Sequence, residues 1–194
     1  MSSPYAPPRG ANNPNSGRSW IFFVAGIGLA IALGLLAGRA LGPLLKGSLG
    51  SRFEVGQLAE DFAASSLDGR QLRLSELRGK VVVLDFWATW CGPCMHELPA
   101  VIAANQRFAG NAEVVMIGIS LDSERGELER VIAEKGIGWP QVFDQALPKS
   151  VADAYGVRAI PFAMVIGRDG RVFARDVAGD DLAAVVEKAL AAAS

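Results

Sequence analysis

Cys91 and Cys94, the only two cysteines in the 194-residue chain, stand three positions apart in Trp90-Cys91-Gly92-Pro93-Cys94. A pair so spaced can close a disulfide within about one helical turn and open it again, which is the chemistry of dithiol–disulfide exchange. The residues before them, Lys80 to Trp87, are an apolar run with one acid, Asp85, as expected for a strand buried on both faces. The residues after, from Cys91 to about Phe108, follow as a helix. At that junction the first sulfur lies at a helix N-terminus, where unpaired N–H groups and the helix dipole stabilise a thiolate. Cys91 is therefore the expected nucleophile and Cys94 the resolving thiol. Pro93, in the first turn, forfeits no helical hydrogen bond.

Other uses of two sulfurs fit less well. A structural zinc site needs about four ligands, and with one histidine, His96, only three sulfur or imidazole candidates exist. Haem attachment requires a histidine directly after the second cysteine, where Met95 stands. A purely structural disulfide over so short a loop would restrict the unfolded chain little. His96 is expected on the surface beside the motif. Two rivals from other classes are a copper-delivery or assembly module using the two thiols, which lacks a distal imidazole, and a thiol peroxidase, for which a Pro-x-x-x-Thr-x-x-Cys arrangement is absent.

The elements that must position the motif follow from composition. Residues 1–19, rich in Ser, Pro, Asn and Gly, make a tail that cannot build a core. Trp20 to Gly38 has no charged side chain, and 19 residues span about 28 Å as a helix, close to the roughly 30 Å of a bilayer interior. A transmembrane anchor is assigned to 20–41, with Trp20 and Arg39 at its two interfaces. A cleaved signal peptide is the rival; its apolar region is usually about 7 to 15 residues, and Gly38-Arg39-Ala40 is a poor cleavage site. Gly26, Ala30, Gly34 and Gly38 recur every four residues and allow a weak helix-mediated dimer. Residues 42–55 form a linker, and 56–194 a single globular domain. The formal net charge is −1 with no basic cluster, which leaves a nucleic-acid surface without electrostatic support.

Within the domain, alternation around Phe62 to Leu67, then Asp68-Gly69, then Leu72 and Leu74, predicts a β-hairpin, and Ser75 to Arg78 a helical turn. Beyond the motif come a buried strand at Glu113 to Ser120, a polar helix at Glu124 to Lys135, a short element at Val142-Phe143 and a helix at Lys149 to Tyr155. A hairpin, Phe162 to Ile166 with Arg171 to Val177, and a last helix, Asp181 to Ala192, complete the chain. Strand–helix alternation ending in a hairpin implies an α/β sandwich with a mixed sheet.

The segment Phe86-Trp87-Ala88-Thr89-Trp90-Cys91-Gly92-Pro93-Cys94 resembles the active site of the thioredoxin superfamily. Glu97-Leu98-Pro99, Asp68-Gly69, Leu74-Ser75, Leu77-Arg78-Gly79-Lys80, Tyr155-Gly156-Val157 and Ile160-Pro161 are similar to its membrane-anchored TlpA/ResA-like branch. The resemblance covers about residues 53–190. It implies a thioredoxin-like fold with an N-terminal β-hairpin (62–74) and an inserted helix–strand (124–143). It also implies a cis-proline at Pro161 facing the disulfide. Trp90, Gly92, Pro93, Ile160 and Pro161 would then form the substrate-binding surface, with the Ile160 backbone pairing with an extended client segment. Pro99 would kink the active-site helix.

Asp85 and Glu97 are the two candidates for moving protons. An acid in a buried run is costly unless paired or protonated, which favours a function for Asp85. Asp85 matches the buried thioredoxin aspartate, at a position more often an amide in the TlpA/ResA-like branch, whereas Glu97 matches that branch's own acid. The expected reaction is attack by the Cys91 thiolate on a client disulfide, followed by resolution by Cys94. If the Gly-Pro dipeptide sets a potential near thioredoxin's roughly −270 mV, against about −120 mV for a dedicated oxidant, the roughly 150 mV gap is about 7 kcal/mol toward reducing substrates. No organic or metal cofactor is implied. The expected partners are a disulfide-containing client and a membrane thiol-electron transporter as reductant. The expected location is the bacterial inner membrane, single pass, with the domain on the extracytoplasmic, periplasmic side where disulfides persist. Members of the branch that serve cytochrome c biogenesis commonly carry a glutamate after the cis-proline; this chain has Phe162 there.

Overall fold

The computed structural model describes residues 53–192. The tail, the proposed membrane helix, the spacing of small residues along it and most of the linker lie outside them. Among the described residues no helix is long and apolar enough to cross a membrane. By its contacts the chain divides into Met1–Ser48 and Leu49–Ser194, and the architecture that follows belongs to the second unit.

An antiparallel hairpin, β1 (Ala63–Ser65) and β2 (Gln71–Arg73), leads through a 3-10 turn at Leu74–Leu77 into β3 (Val81–Trp87) and α1 (Gly92–Arg107). Next come β4 (Val114–Ser120), α2 (Arg125–Lys135), β5 (Gln141–Phe143), a second 3-10 turn (Asp144–Ala146) and α3 (Val151–Tyr155). The chain ends in β6 (Phe162–Ile166), β7 (Val172–Arg175) and α4 (Gly179–Ala191). The main sheet has the order β5-β4-β3-β6-β7. β3, β4 and β5 run parallel, and β6 and β7 run antiparallel to their neighbours. This is the expected thioredoxin-like fold with its mixed sheet, and β3 is its centre.

All seven residues of β3 are buried, and their alternation feeds two cores. Val82, Leu84 and Phe86 face one side with Ile117, Ile119, Tyr155 and Met164. Val81, Val83 and Trp87 face the other with Leu98 and Val101 of α1, Leu128 of α2 and Leu182 and Val186 of α4. A strand covered on both faces has no room for polar alternation, hence the continuous apolar run in the sequence.

Several boundaries differ from the expectation for local reasons. The hairpin is closed by a three-residue loop, 67–69, in which Asp68 and Gly69 lie, and Ser66 N–H donates to the Arg70 carbonyl across it at 2.9 Å. Gly69 takes φ +85°, and Asp68 accepts from the Ser66 hydroxyl and the Arg70 N–H. The short helix begins at Val151 because Ser150 is its N-cap, accepting from Asp153 N–H at 3.0 Å. β7 stops at Arg175, before Asp176 adopts φ +53°. α4 starts two residues early, at Gly179, through a contact with Glu97 described below.

Candidate active site

β3 delivers the chain to the redox motif through one closed turn, in which Cys91 N–H donates to the Ala88 carbonyl at 3.2 Å. Cys91 is the N-cap of α1, and its Sγ accepts from Cys94 N–H at 3.2 Å. The sulfur thus faces the unpaired amides of a helix N-terminus, the environment that lowers a thiol's proton affinity. Cys91 and Cys94 are joined in a disulfide with Cα atoms 5.2 Å apart. Both cysteines are buried, whereas Gly92 and Pro93 are exposed and Trp90 is 66% exposed. The helix runs on through Pro99, and His96 lies on its exposed side.

Behind the disulfide, Asp85, Trp87, Cys94, Glu97, Leu98, Val101 and Pro161 line one cavity of about 10 Å³. That is the lower limit for a single water. The sheet register makes space for the acid, since Asp85 is flanked by Gly118 on β4 and Ala163 on β6, the two small residues at that level. Asp85 accepts no hydrogen bond among the described residues. Burial first, and the negative charge of Glu97 second, push its carboxyl up from 3.8 to about 7. Glu97 is half-buried, and its Oε2 accepts from Gly179 N–H at 3.2 Å, capping the first turn of α4. The backbones come close there: a Cβ on Gly179 would stand 3.2 Å from the Glu97 carbonyl oxygen.

The Ile160–Pro161 peptide bond is cis. Pro161 lies in the wall of the Asp85 cavity, and Ile160 precedes the β6 ladder, which begins at Phe162. The structure therefore brings Cys94, Asp85, Glu97 and Pro161 together beneath an exposed rim of Trp90, Gly92 and Pro93. A larger depression, about 360 Å³, runs along β1 and residues 143–148 and contains no sulfur or titratable group of this set. Sulfur exchange needs an accessible S–S edge, not a deep pocket. Among the described residues, no group of three or more His, Cys, Asp or Glu side chains is placed to hold a metal ion.

Two supports of the site carry only a faint local signal in the sequence. Gln141 Oε1 accepts from the Trp87 indole N–H at 3.0 Å, and its amide lies over Gly118, where an added Cβ would be 2.0 Å from it. Asp122, just beyond β4, accepts from the Thr89 N–H at 3.0 Å, the Thr89 hydroxyl at 2.6 Å and the Ser120 hydroxyl at 2.7 Å. A small residue in an apolar strand and an acid two residues beyond one are the faint signs that could have pointed to them.

A central parallel strand, a helix capped by the first of two bonded cysteines, and a cis-proline beside a buried acid define a thioredoxin-like thiol–disulfide oxidoreductase. The chain belongs to the AhpC/TSA family, whose model matches residues 55–175. It is similar to the thiol-disulfide oxidoreductase ResA of Geobacillus thermodenitrificans, 34% identical over 118 residues. That match covers 61% of this chain and 66% of the relative, so the chain spans a little under two thirds of that relative's length. Among solved structures it is similar to the thioredoxin domain of a thiol-disulfide oxidoreductase from Bacteroides vulgatus, with TM-score 0.63 and 27% identity, covering 70% of this chain and 97% of that one. A thiol-disulfide oxidoreductase from Bacteroides fragilis gives TM-score 0.61 and 28% identity over 68% and 98% of the two chains.

Proposed function

We propose that the protein reduces disulfides in client polypeptides outside the cytoplasm, held at the membrane by its N-terminal helix. The observation that carries the reaction is the Cys91 sulfur at the mouth of α1, accepting an amide hydrogen bond while joined to the buried Cys94. In the reduced protein the Cys91 thiolate attacks one sulfur of a client disulfide. The client S–S bond breaks, a Cys91–client mixed disulfide forms, and the released client thiolate takes up a proton. Cys94, giving its proton to Asp85 directly or through one water, then attacks Cys91. The client leaves as a dithiol and the Cys91–Cys94 disulfide forms, two electrons having passed to the client. A membrane-borne dithiol donor returns those electrons. Asp85, with its proton affinity near neutrality, is suited to the relay in both directions. Trp90, Gly92 and Pro93 contact the client, and the Ile160 backbone beside Pro161 pairs with an extended client segment. The Gly-Pro pair between the cysteines favours the reducing direction. The uncharged stretch Trp20 to Gly38 supports the anchor, and the persistence of disulfides outside the cytoplasm supports the location.

Substrate trapping tests this reading. In the full-length chain Cys94→Ala leaves the mixed disulfide on Cys91 without a resolving thiol, so client adducts should accumulate, while Cys91→Ala should trap none. Equal trapping by the two variants would overturn the assigned roles, and adducts drawn only from cytoplasmic proteins would overturn the location.

A further inference from the structure

Asp122 is a second buried carboxylate beside the redox motif, and the exchange steps above make no use of it. It is 2% exposed, and no salt bridge joins it to a cation among the described residues. Its two oxygens collect donors instead: the Thr89 N–H at 3.0 and 3.2 Å, the Thr89 hydroxyl at 2.6 Å and the Ser120 hydroxyl at 2.7 Å. A buried carboxylate without a counter-ion is costly, and hydrogen-bond donors on both oxygens are what make it tolerable. Three of these four contacts end on Thr89, the second residue of the Ala88–Cys91 turn, held through both backbone and side chain. The next residue is Trp90. That residue is 66% exposed, and among the described residues its ring makes no hydrogen bond or ring contact of its own. The backbone that carries that indole beside Cys91 is therefore set by the turn, and Asp122 holds the turn through Thr89.

We propose that Asp122 is a positioning residue for exchange with polypeptides: by clamping Thr89 it fixes the turn that presents Trp90 as a platform holding the client while Cys91 attacks. This rests on the reading of the chain as a reductase of client disulfides. The residue type fits the task. A carboxylate has acceptors only, matching a set of converging donors. Alanine would leave the Thr89 N–H and hydroxyl without their partner and free the turn. Asparagine can still accept from Thr89 through Oδ1 and donate through Nδ2 to the Ser120 oxygen. Because Trp90 touches the substrate and not the reacting sulfurs, the loss should fall on substrates large enough to reach it.

Steady-state reduction of insulin and of bis(2-hydroxyethyl) disulfide by the full-length protein, with a small dithiol as electron donor and its uncatalysed rate subtracted, separates the possibilities. Asp122→Ala should raise KM for insulin about tenfold, within the roughly 10²-fold that misplacement of a substrate-orienting group can cost. The same variant should lose no more than about twofold in kcat/KM for the small disulfide. Thr89→Val, which keeps the backbone bond, should show the same insulin-selective loss at about threefold, and Asp122→Asn should recover to within about twofold of the parent. Equal losses on both substrates, or no loss on insulin, would overturn the proposal. If Asp122→Ala does not fold, Thr89→Val and Asp122→Asn decide it by the same selectivity. A parent protein that reduces neither substrate would instead overturn the reductase reading itself.

Discussion

Asp85 and Asp122 are both acids buried at the central strands, 5% and 2% exposed, and their surroundings are opposite. Asp85 projects from the middle of β3 between Gly118 and Ala163 into a small cavity shared with Cys94 and Glu97, and it accepts no hydrogen bond among the described residues. Asp122, at the end of β4, has donors on both carboxylate oxygens. In one region burial leaves the carboxyl free to gain or lose a proton beside a thiol; in the other, hydrogen bonds use the carboxyl as a fixed anchor for a turn. On the proposed reading, the same side chain at the same depth would serve chemistry in one place and geometry in the other, according to whether donors reach it.

The sharpest way to break this contrast is stability, where the two acids should act with opposite sign. With its pKa near 7 when folded and about 3.8 when unfolded, Asp85 binds its proton more tightly in the folded oxidised protein. That advantage is complete below about pH 4 and is lost as pH rises to about 7, so above pH 7 the buried carboxylate costs stability. At about 1.36 kcal/mol per pH unit the full span is about 4 kcal/mol. Asp85→Asn should therefore raise the urea midpoint of the disulfide form at pH 8 and leave it nearly unchanged near pH 3.5. Asp122→Ala should lower the unfolding free energy at pH 8 by about 1–3 kcal/mol, the cost of leaving buried donors unsatisfied, and the urea midpoint should fall with it. If both substitutions destabilise at pH 8, Asp85 is not the unpaired acid described here.

Kinetics sharpen the comparison at a smaller scale. Asp85→Asn keeps the shape of the side chain but cannot take the Cys94 proton. Formation of the mixed disulfide, assigned to Cys91 at the N-terminus of α1, should stay within about threefold, while resolution slows about tenfold or more. Stopped-flow measurement of the two phases checks this. A wild-type resolving phase in Asp85→Asn would assign Asp85 a packing role alone.

How much of this was legible in the sequence depends on the range of the interactions involved. β3 is announced by Val81-Val82-Val83-Leu84, and the redox turn and α1 by their own motif, because burial on two faces and a helix N-terminus are properties of contiguous residues. Asp85 stands out for the same reason, as one acid within that run. The hydrogen bonds that hold the site are of another kind. Thr89 to Asp122 spans 33 residues, Trp87 to Gln141 spans 54 and Gly179 to Glu97 spans 82. Each depends on which strands or helices lie side by side, and no local pattern encodes that. Gly118 looks like a weak point in a strand until its neighbour Gln141 is known to lie across it. Glu97 was legible as an acid one turn beyond Cys94, but not as a cap on a helix that begins 82 residues later.

Glu97 joins the two modes, and its substitution should give the smallest effect. Its Oε2 accepts from the Gly179 N–H, a fixed role like that of Asp122, while its charge is the second cause, after burial, of the raised pKa of Asp85. Glu97→Gln separates the two, because the amide oxygen can still receive the Gly179 N–H while the charge is gone. Removing a negative neighbour favours the ionised form of Asp85, so its pKa should fall and the pH midpoint of the resolving step should move below its parent value. Burial remains, so the midpoint should stay above the ordinary carboxylate range, and the resolving rate near neutral pH should change only about two- to threefold. Glu97→Ala should shift the midpoint in the same direction and also lose the cap, lowering stability by about 1 kcal/mol. The pH profile of the resolving phase, with urea unfolding of both variants, reads the two roles separately. A midpoint unmoved by Glu97→Gln, together with a stability loss only in Glu97→Ala, would leave Glu97 as a cap for α4 and Asp85 as the only acid that senses the redox step.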